Sequence, residues 1–344
     1  MPLAIQYAGP RSIVTARVVR RPPGPGEVEV APAYTGICGT DLHIFHGEMD
    51  GRVHRPAVLG HEMSGRVAAV GDGVTGLSPG APVTVMPLRS CGGCAACRSG
   101  HRHICQSLEF IGIDSAGSLQ ERWTVPADVV VPLPPEIDLA SAALVEPTAV
   151  AVHDVRRAQV ADDDTVVVVG AGPIGVLIAI LARRAGGSVL VVEPDAYRRD
   201  FLSRLGFPTV DPGSEDAAAA VECWTEGAGA SVAFEVSGAE AGLVTAVQVL
   251  GVRGRLCLVA IHPRPKSVDL HRIFWRELTL VGARLYERSD FAEAVELIHD
   301  GTVPTDAMIS TIVPFGEAAE AFAAMESGRG VMKVLVATGT EETR

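Results

Sequence analysis

The 344-residue sequence predicts an α/β protein in which a β-rich, loop-rich domain is joined to a doubly wound parallel sheet. Length is the first observation: one ordinary core rarely grows that large, so two domains are expected. The second is a change of texture at Glu146, where short β-branched runs broken by Gly and Pro give way to apolar strands alternating with helices. The third is a Gly-rich turn, GAGPIG at 170–175, set between a strand and a helix.

In chain order, residues 28–85 carry VEVAPAYTGICG, VLGHEMSGRVAAVG and APVTVMP, runs of β-branched residues bounded by turn residues that read as strands. A cysteine-rich lobe, SCGGCAACRSGHRHIC at 90–105, follows, and a further β-rich stretch ends in VVVPLPPEIDLASAA. The second region reads as six strands, TVVVVGAG, SVLVVEP, TVDP, SVAFEVSG, GRLCLVA and LTLVGARL. The segments PIGVLIAILARRAG, AYRRDFLSRLG, EDAAAAVECWTEGA and AEAGLVTAVQVL read as the helices between them. Short strands joined by amphipathic helices are what a parallel sheet requires, because each crossover must return the chain to the same edge. The tail carries a helix in SDFAEAVELIHDG, then VPFGEAAEAFAAMESG and a last strand, MKVLVAT, which are expected to rejoin the first domain.

Composition narrows the function. With 47% hydrophobic and 20% charged residues the chain can bury a core and is not a disordered segment. A net charge of −12 disfavours nucleic acid as a partner, because such proteins present a basic footprint. The longest apolar run, 166–181, is broken by Gly170, Gly172, Pro173 and Gly175, so no membrane span is expected. The opening MPLAIQYAGPRS lacks the regions of a secretory signal, which points to the cytoplasm. In that reducing compartment the seven cysteines read as metal ligands or buried apolar groups rather than disulfides.

Gly170, Gly172, Pro173, Ile174 and Gly175 fit GxGxxG, whose glycines let backbone approach a pyrophosphate at a helix N-terminus. Alone that pattern also describes any tight strand-to-helix turn. Glu193, closing the next strand 18 residues past Gly175, adds an acid placed to accept hydrogen bonds from the adenosine ribose and to repel a 2′-phosphate, which favours NAD over NADP. Arg198 and Arg199 just beyond could soften that choice. Arg198 and Val236 complete the cofactor-binding positions expected in this region.

Cys91, Cys94, Cys97 and Cys105 have the spacing C-x2-C-x2-C-x7-C, and four thiolates close a tetrahedral zinc, leaving no position for substrate. The lobe lacks the Cys-Pro ending of many iron–sulfur runs. His101 and His103 inside it read as surface groups. A catalytic zinc instead wants about three mixed ligands and one open position. Cys38 in GICGTDLH, His61 and Glu62 in GHE, and Glu146 in VEPTAVAVH are of the right types, but spacing alone does not join them.

The order of these motifs, from GICGTDLH through GHE and the four-cysteine lobe to GAGPIG and MKVLV, resembles the zinc-dependent medium-chain dehydrogenase/reductase family, over nearly the whole chain. It is most similar to the sorbitol, butanediol and threonine dehydrogenase branch. The resemblance implies a GroES-like catalytic domain at 1–147 and 286–344, with a structural-zinc lobe at about 88–107, and a Rossmann NAD-binding domain at 148–285. It implies two zincs per chain. Cys38, His61 and Glu146 would hold the catalytic one, with Glu62 close enough to exchange; plain alcohol dehydrogenases carry Cys where this chain has Glu146. It assigns Thr40 and His43 to a proton relay, Asp41 to orienting His61, and Lys333 to the cofactor pyrophosphate. Phe45, Phe110, Glu146, Arg284 and Tyr286 would face substrate, and His153 is a further candidate.

The expected activity is hydride transfer between a secondary alcohol or polyol, or the matching ketone, and NAD. A threonine-type amino alcohol dehydrogenase is the alternative within the same class. A zinc-ribbon nucleic-acid-binding protein is disfavoured by the acidic charge, and a zinc-free quinone-type reductase by the retained Cys38, His61 and Glu62. The resemblance also implies a homodimer or homotetramer.

Overall fold

The structure is a computed structural model and describes residues 1–339. The chain divides into two compact units, Met1–Pro147 together with the residues from Glu287 onward, and Thr148–Tyr286. The boundary falls inside a helix, Val145–Ala158, that the sequence reading did not identify, and Tyr286 stays with the second unit.

The first unit is built on a seven-stranded sheet. Its path runs Val130–Pro132, Pro82–Val85, Glu62–Val70, Glu27–Gly36, Lys333–Ala337 and Ile309–Pro314, with Trp123–Pro126 also paired to Glu27–Gly36. Alternate side chains pack into one core that includes Val28, Val30, Met63, Val67, Val83 and Trp123. The C-terminal strand Lys333–Ala337 lies antiparallel beside Glu27–Gly36, so the tail does enter the first sheet. Register brings three distant positions level, since Gly36 is opposite Glu62 on one side and Leu335 on the other. The strand Ile309–Pro314 was missed from sequence because it is a largely exposed strand at the end of the path and carries no apolar alternation. A three-stranded sheet pairs Leu3–Gly9 with Ser12–Arg17 and Ala57–Val58.

The second unit is a six-stranded, wholly parallel sheet. Its order is Thr209–Val210, Ser188–Val192, Thr165–Val169, Ala230–Glu235, Leu250–Leu258 and Thr279–Gly282. Numbered within the unit, that is 3-2-1-4-5-6, the Rossmann order, which reverses direction between the first and fourth strands and opens a ligand crevice there. Val166, Val167 and Val168 are wholly buried, the expected state of a parallel strand covered on both faces. Pro173–Arg184 buries eight consecutive residues from Gly175, and Pro at its start costs nothing because that first amide has no helical partner. The sequence reading also missed a short helix, Leu270–Trp275, which buries none of its residues.

Candidate functional site

In the cysteine lobe the sulfurs of Cys91, Cys94, Cys97 and Cys105 all lie within 4.8 Å of one another. Zinc at about 2.3 Å from four sulfurs sets neighbouring sulfurs roughly 3.8 Å apart. Cys94 Sγ lies 3.4 Å from Cys97 Sγ and 3.8 Å from Cys105 Sγ, so the donor set fits such an ion. The backbone supports thiolate charge, because the amides of Cys91 and Ser107 both donate to Cys105 Sγ at 3.3 Å. Hydrogen bonds from the amides of Gln106 and Cys97 bring the Cys94 thiol down to about 6, whereas burial pushes Cys97 up to about 11. His101 is exposed, as expected, but His103 is buried, contrary to its reading as a surface group. Both rings face Glu287, with Nδ1 atoms 3.6 and 3.7 Å from its Oε1.

The second constellation joins what spacing could not. The ligand atoms of Cys38, His61 and Glu62 lie within 4.8 Å of one another. Cys38 caps the helix Gly39–Phe45, and His61 and Glu62 sit where the chain enters the strand Glu62–Val70. His61 and Glu62 are 2% and 1% exposed, so charge on either loses its hydration and needs strong local compensation. Burial works against a protonated His61, yet Asp41, Cys38 and Glu146 outweigh it and hold the imidazole pKa well above its ordinary range. The pocket therefore favours a cation, and its Cys, His and carboxylate donors suit zinc. Glu146, 4% exposed in the first turn of Val145–Ala158, acts on His61 electrostatically but is not one of the three close donors.

Asp41 meets His61 differently from expectation. Its Oδ1 is 3.7 Å from His61 Nδ1, beyond hydrogen-bond reach, while Oδ2 accepts the Cys38 amide at 2.9 Å. It thus anchors the helix start that carries Cys38 and faces the imidazole as a charge. Burial raises the Asp41 pKa, and His61 partly offsets that.

Lys333 also departs from expectation. Rather than standing ready for a pyrophosphate, it is 3% exposed, forms an ion pair with Glu62 Oε2 and donates to the Ile37 carbonyl at 3.2 Å. Sheet register explains the meeting, and Gly36 permits it: a Cβ there would lie 2.3 Å from Glu62 Oε2 and 3.2 Å from Lys333 Cε. Burial would lower the Lys333 pKa, but Glu62 and then Cys38 more than reverse this. A lysine 271 residues after Glu62 gives no sequence signal of that pair.

Thr40 and His43 lie one turn apart on the helix Gly39–Phe45, the first half-buried and the second exposed. Glu48, which the sequence did not single out, binds His43 Nδ1 through Oε2 at 2.6 Å. Phe110 stands edge-on to His61 with ring centroids 5.1 Å apart, whereas Phe45 packs on Phe322 at 5.5 Å. Arg284 is exposed, Tyr286 is wholly buried and His153 is buried.

In the second unit, Gly170 has φ +105° and a Cβ there would press on Ser237 at 3.0 Å; a Cβ at Gly175 would lie 2.0 Å from the Gly170 carbonyl oxygen. Only glycines allow the loop to fold back on its helix so tightly. Glu193 sits against this loop with 3% exposure, Oε2 accepting the Ala171 amide at 2.6 Å and Oε1 the Asp195 amide at 2.9 Å. Each carboxylate oxygen keeps a further lone pair for a ribose hydroxyl. Gly172, Pro173 and Ile174 stay half-buried around it, and the Val236 amide donates to the Val169 carbonyl across the strand reversal at 3.0 Å. Arg199 is spent on the carbonyls of Glu193 and Pro194 and on Asp211, while Arg198 keeps a buried Nε with no hydrogen-bond partner among the described residues.

Residues 24–135 match the family described as the alcohol dehydrogenase GroES-like domain, and residues 173–300 the one described as zinc-binding dehydrogenase. A 2-dehydro-3-deoxy-L-galactonate 5-dehydrogenase of Pseudoalteromonas atlantica is 45% identical over 339 residues, 98% of this chain and 99% of its own. An L-threonine 3-dehydrogenase of Pyrococcus abyssi is 34% identical over 316 residues, 89% of this chain and 90% of its own. Among solved structures, 2R,3R-butanediol dehydrogenase from Bacillus subtilis aligns with a TM-score of 0.91 at 28% identity, covering 98% and 99% of the two chains. A zinc-binding dehydrogenase from Sinorhizobium meliloti bound to NADP aligns with a TM-score of 0.90 at 30% identity, with the same coverage.

Proposed function

The chain belongs to the zinc-binding medium-chain dehydrogenases, and from that premise we propose that Cys38, His61 and a carboxylate hold the catalytic zinc of an NAD-linked polyol dehydrogenase. The observation that carries this reading is the convergence of Cys38, His61 and Glu62 in a buried pocket whose charges favour a cation. Glu62 also meets Lys333, and Glu146, buried in the first turn of the neighbouring helix and acting on His61 electrostatically, is the second carboxylate that could serve as ligand. The four-cysteine lobe holds the structural zinc.

Held by these residues, zinc would supply Lewis-acid polarisation of the substrate hydroxyl and NAD would supply the hydride acceptor. The chain's own residues then manage the proton. The Thr40 hydroxyl receives it and passes it toward His43, whose exposed ring releases it to solvent. Glu48 fixes the ring by holding Nδ1. Glu193 selects the adenosine ribose of NAD, against the 2′-phosphate of NADP.

The substrate class is a polyol or sugar acid oxidised at a secondary alcohol, supported by the relative at 45% identity that acts on a deoxy-galactonate. The threonine dehydrogenase relative supports the second reading, an amino alcohol substrate. NADH formation by the zinc-loaded protein on a panel of sugar acids, butanediol, sorbitol and threonine separates them. Turnover of hydroxylated acids or polyols well above that of threonine supports the first reading, and the reverse ranking overturns it.

We assign the protein to the cytoplasm, where thiolates stay reduced for zinc, and to a homo-oligomer. No helix of the described residues is long and apolar enough to cross a membrane. The dimer is proposed at the open edge strand Thr279–Gly282, near which Leu270, Phe274 and Trp275 are about three-quarters exposed.

A further inference from the structure

The sheet of the second unit carries a buried acid–histidine pair that none of the roles above uses. Glu235 closes the strand Ala230–Glu235 and is wholly buried. Its Oε1 accepts three hydrogen bonds, from the Ser237 amide at 2.9 Å, the Ser237 hydroxyl at 2.6 Å and the Gly238 amide at 3.0 Å. Its Oε2 meets Nε2 of His262 at 2.9 Å. His262 follows the neighbouring strand Leu250–Leu258, and the amides of Val259 and Ala260 in that connection donate to the Glu235 carbonyl at 3.0 and 3.1 Å. The two side chains therefore sit together at the carboxyl ends of the fourth and fifth strands, with Ser237 pressed against Gly170 of the Gly-rich loop.

That end of a doubly wound sheet is where dinucleotides bind, one mononucleotide half on each side of the strand reversal. Glu193, on the second strand, marks the adenosine half; the fourth and fifth strands face the nicotinamide half. His262 Nδ1 is buried and has no hydrogen-bond partner among the described residues. An unmatched buried nitrogen is costly unless a ligand completes it. Its chemistry is set by Glu235: a carboxylate only accepts, so the ring proton sits on Nε2 and Nδ1 presents a lone pair. The partner it fits is an N–H donor, and the nicotinamide carboxamide carries one in its NH2 group.

We propose that His262 is a cofactor-binding residue that accepts a hydrogen bond from the nicotinamide carboxamide, and that Glu235 is the positioning residue that fixes its tautomer. This rests on the NAD-linked reading above. Because Oε1 is held by three donors, Glu235→Gln would keep its oxygen there and turn its NH2 toward His262. The amide would then donate to Nε2, move the ring proton to Nδ1 and convert the acceptor into a donor.

The test is calorimetric binding to the zinc-loaded protein of NADH and of the reduced 3-acetylpyridine analogue, in which a methyl ketone replaces the carboxamide and no N–H remains. The NADH preference over the analogue should fall roughly five- to tenfold in His262→Leu, through weaker NADH binding alone. Glu235→Gln should shift the ratio further toward the analogue, whose ketone still accepts from Nδ1–H. Equal weakening of both ligands in His262→Leu, or an unchanged ratio in both variants, would show a merely structural pair and overturn the proposal. If the wild-type protein binds NADH and only the ratio fails to move, the NAD-linked reading stands without this assignment. Failure of the wild-type protein to bind either ligand overturns both.

Discussion

Cys38 and Cys97 are the same residue put to different use by their surroundings. Cys97 is buried with three other sulfurs, whereas Cys38 sits half-buried beside His61 and Glu62. Within the lobe the sulfurs differ too, and zinc removal should reveal it. In stripped protein Cys94 should be alkylated first, its rate rising with pH through about 6 as the thiolate forms, while Cys97 stays inert until about 11. Mass spectrometry of iodoacetamide-treated peptides reads this order. Cys97 reacting first, or all four titrating together near the ordinary thiol value, would contradict it. Thr40 makes a separate prediction. Thr40→Val should lower kcat about a hundredfold, because it removes the hydroxyl that relays the proton. Steady-state kinetics over pH with a solvent isotope comparison checks this; an unchanged kcat would remove Thr40 from the relay.

At the scale of elements, sheet register does what chain spacing conceals. Gly36, Glu62 and Lys333 come from three strands and meet only because those strands are neighbours. Lys333→Met should strand Glu62 as a buried charge and cost about 3–5 kcal/mol in denaturant unfolding, whereas an exposed pair would cost under about 1 kcal/mol. A loss of that smaller size would mean that the pair is open to water. The same logic sorts what could be read beforehand. GAGPIG and the four-cysteine run are local signals, since a turn and a closed zinc site are each encoded within a few residues, and they were legible. The central strands of the parallel sheet, Thr165–Val169 and Ser188–Val192, were legible because they are almost wholly buried and carry unbroken apolar runs. Ile309–Pro314 and Leu270–Trp275 were not, because their exposed faces carry neither helical nor strand periodicity. The pairings of Glu48 with His43 and of Lys333 with Glu62 were not legible for a related reason: they are set by loop closure and sheet pairing, which leave no periodic trace.

At the scale of the whole molecule, the exposed apolar side chains beside an open sheet edge need an explanation, and a second copy of the chain is the one proposed. Leu280 lies on that edge strand at 38% exposure. Leu280→Lys should shift the molecular mass measured by light scattering toward the monomer, since a lysine on an edge strand opposes pairing. An unchanged oligomer would place the interface elsewhere. The central claim is that turnover belongs to Cys38, His61 and their carboxylate, and that the louder four-cysteine lobe braces the fold. Metal content and NADH formation, measured together on the wild-type protein, Cys38→Ser and Cys97→Ser, test it most directly. The wild type should hold two zincs per chain. Cys38→Ser should keep the structural zinc and its NADH affinity yet lose turnover by more than about a hundredfold, beyond what losing an outer partner of a ligand costs. Cys97→Ser should lose about 2 kcal/mol or more of stability while its folded fraction still turns over. Full activity in Cys38→Ser, with two zincs bound to the wild type, would contradict the account.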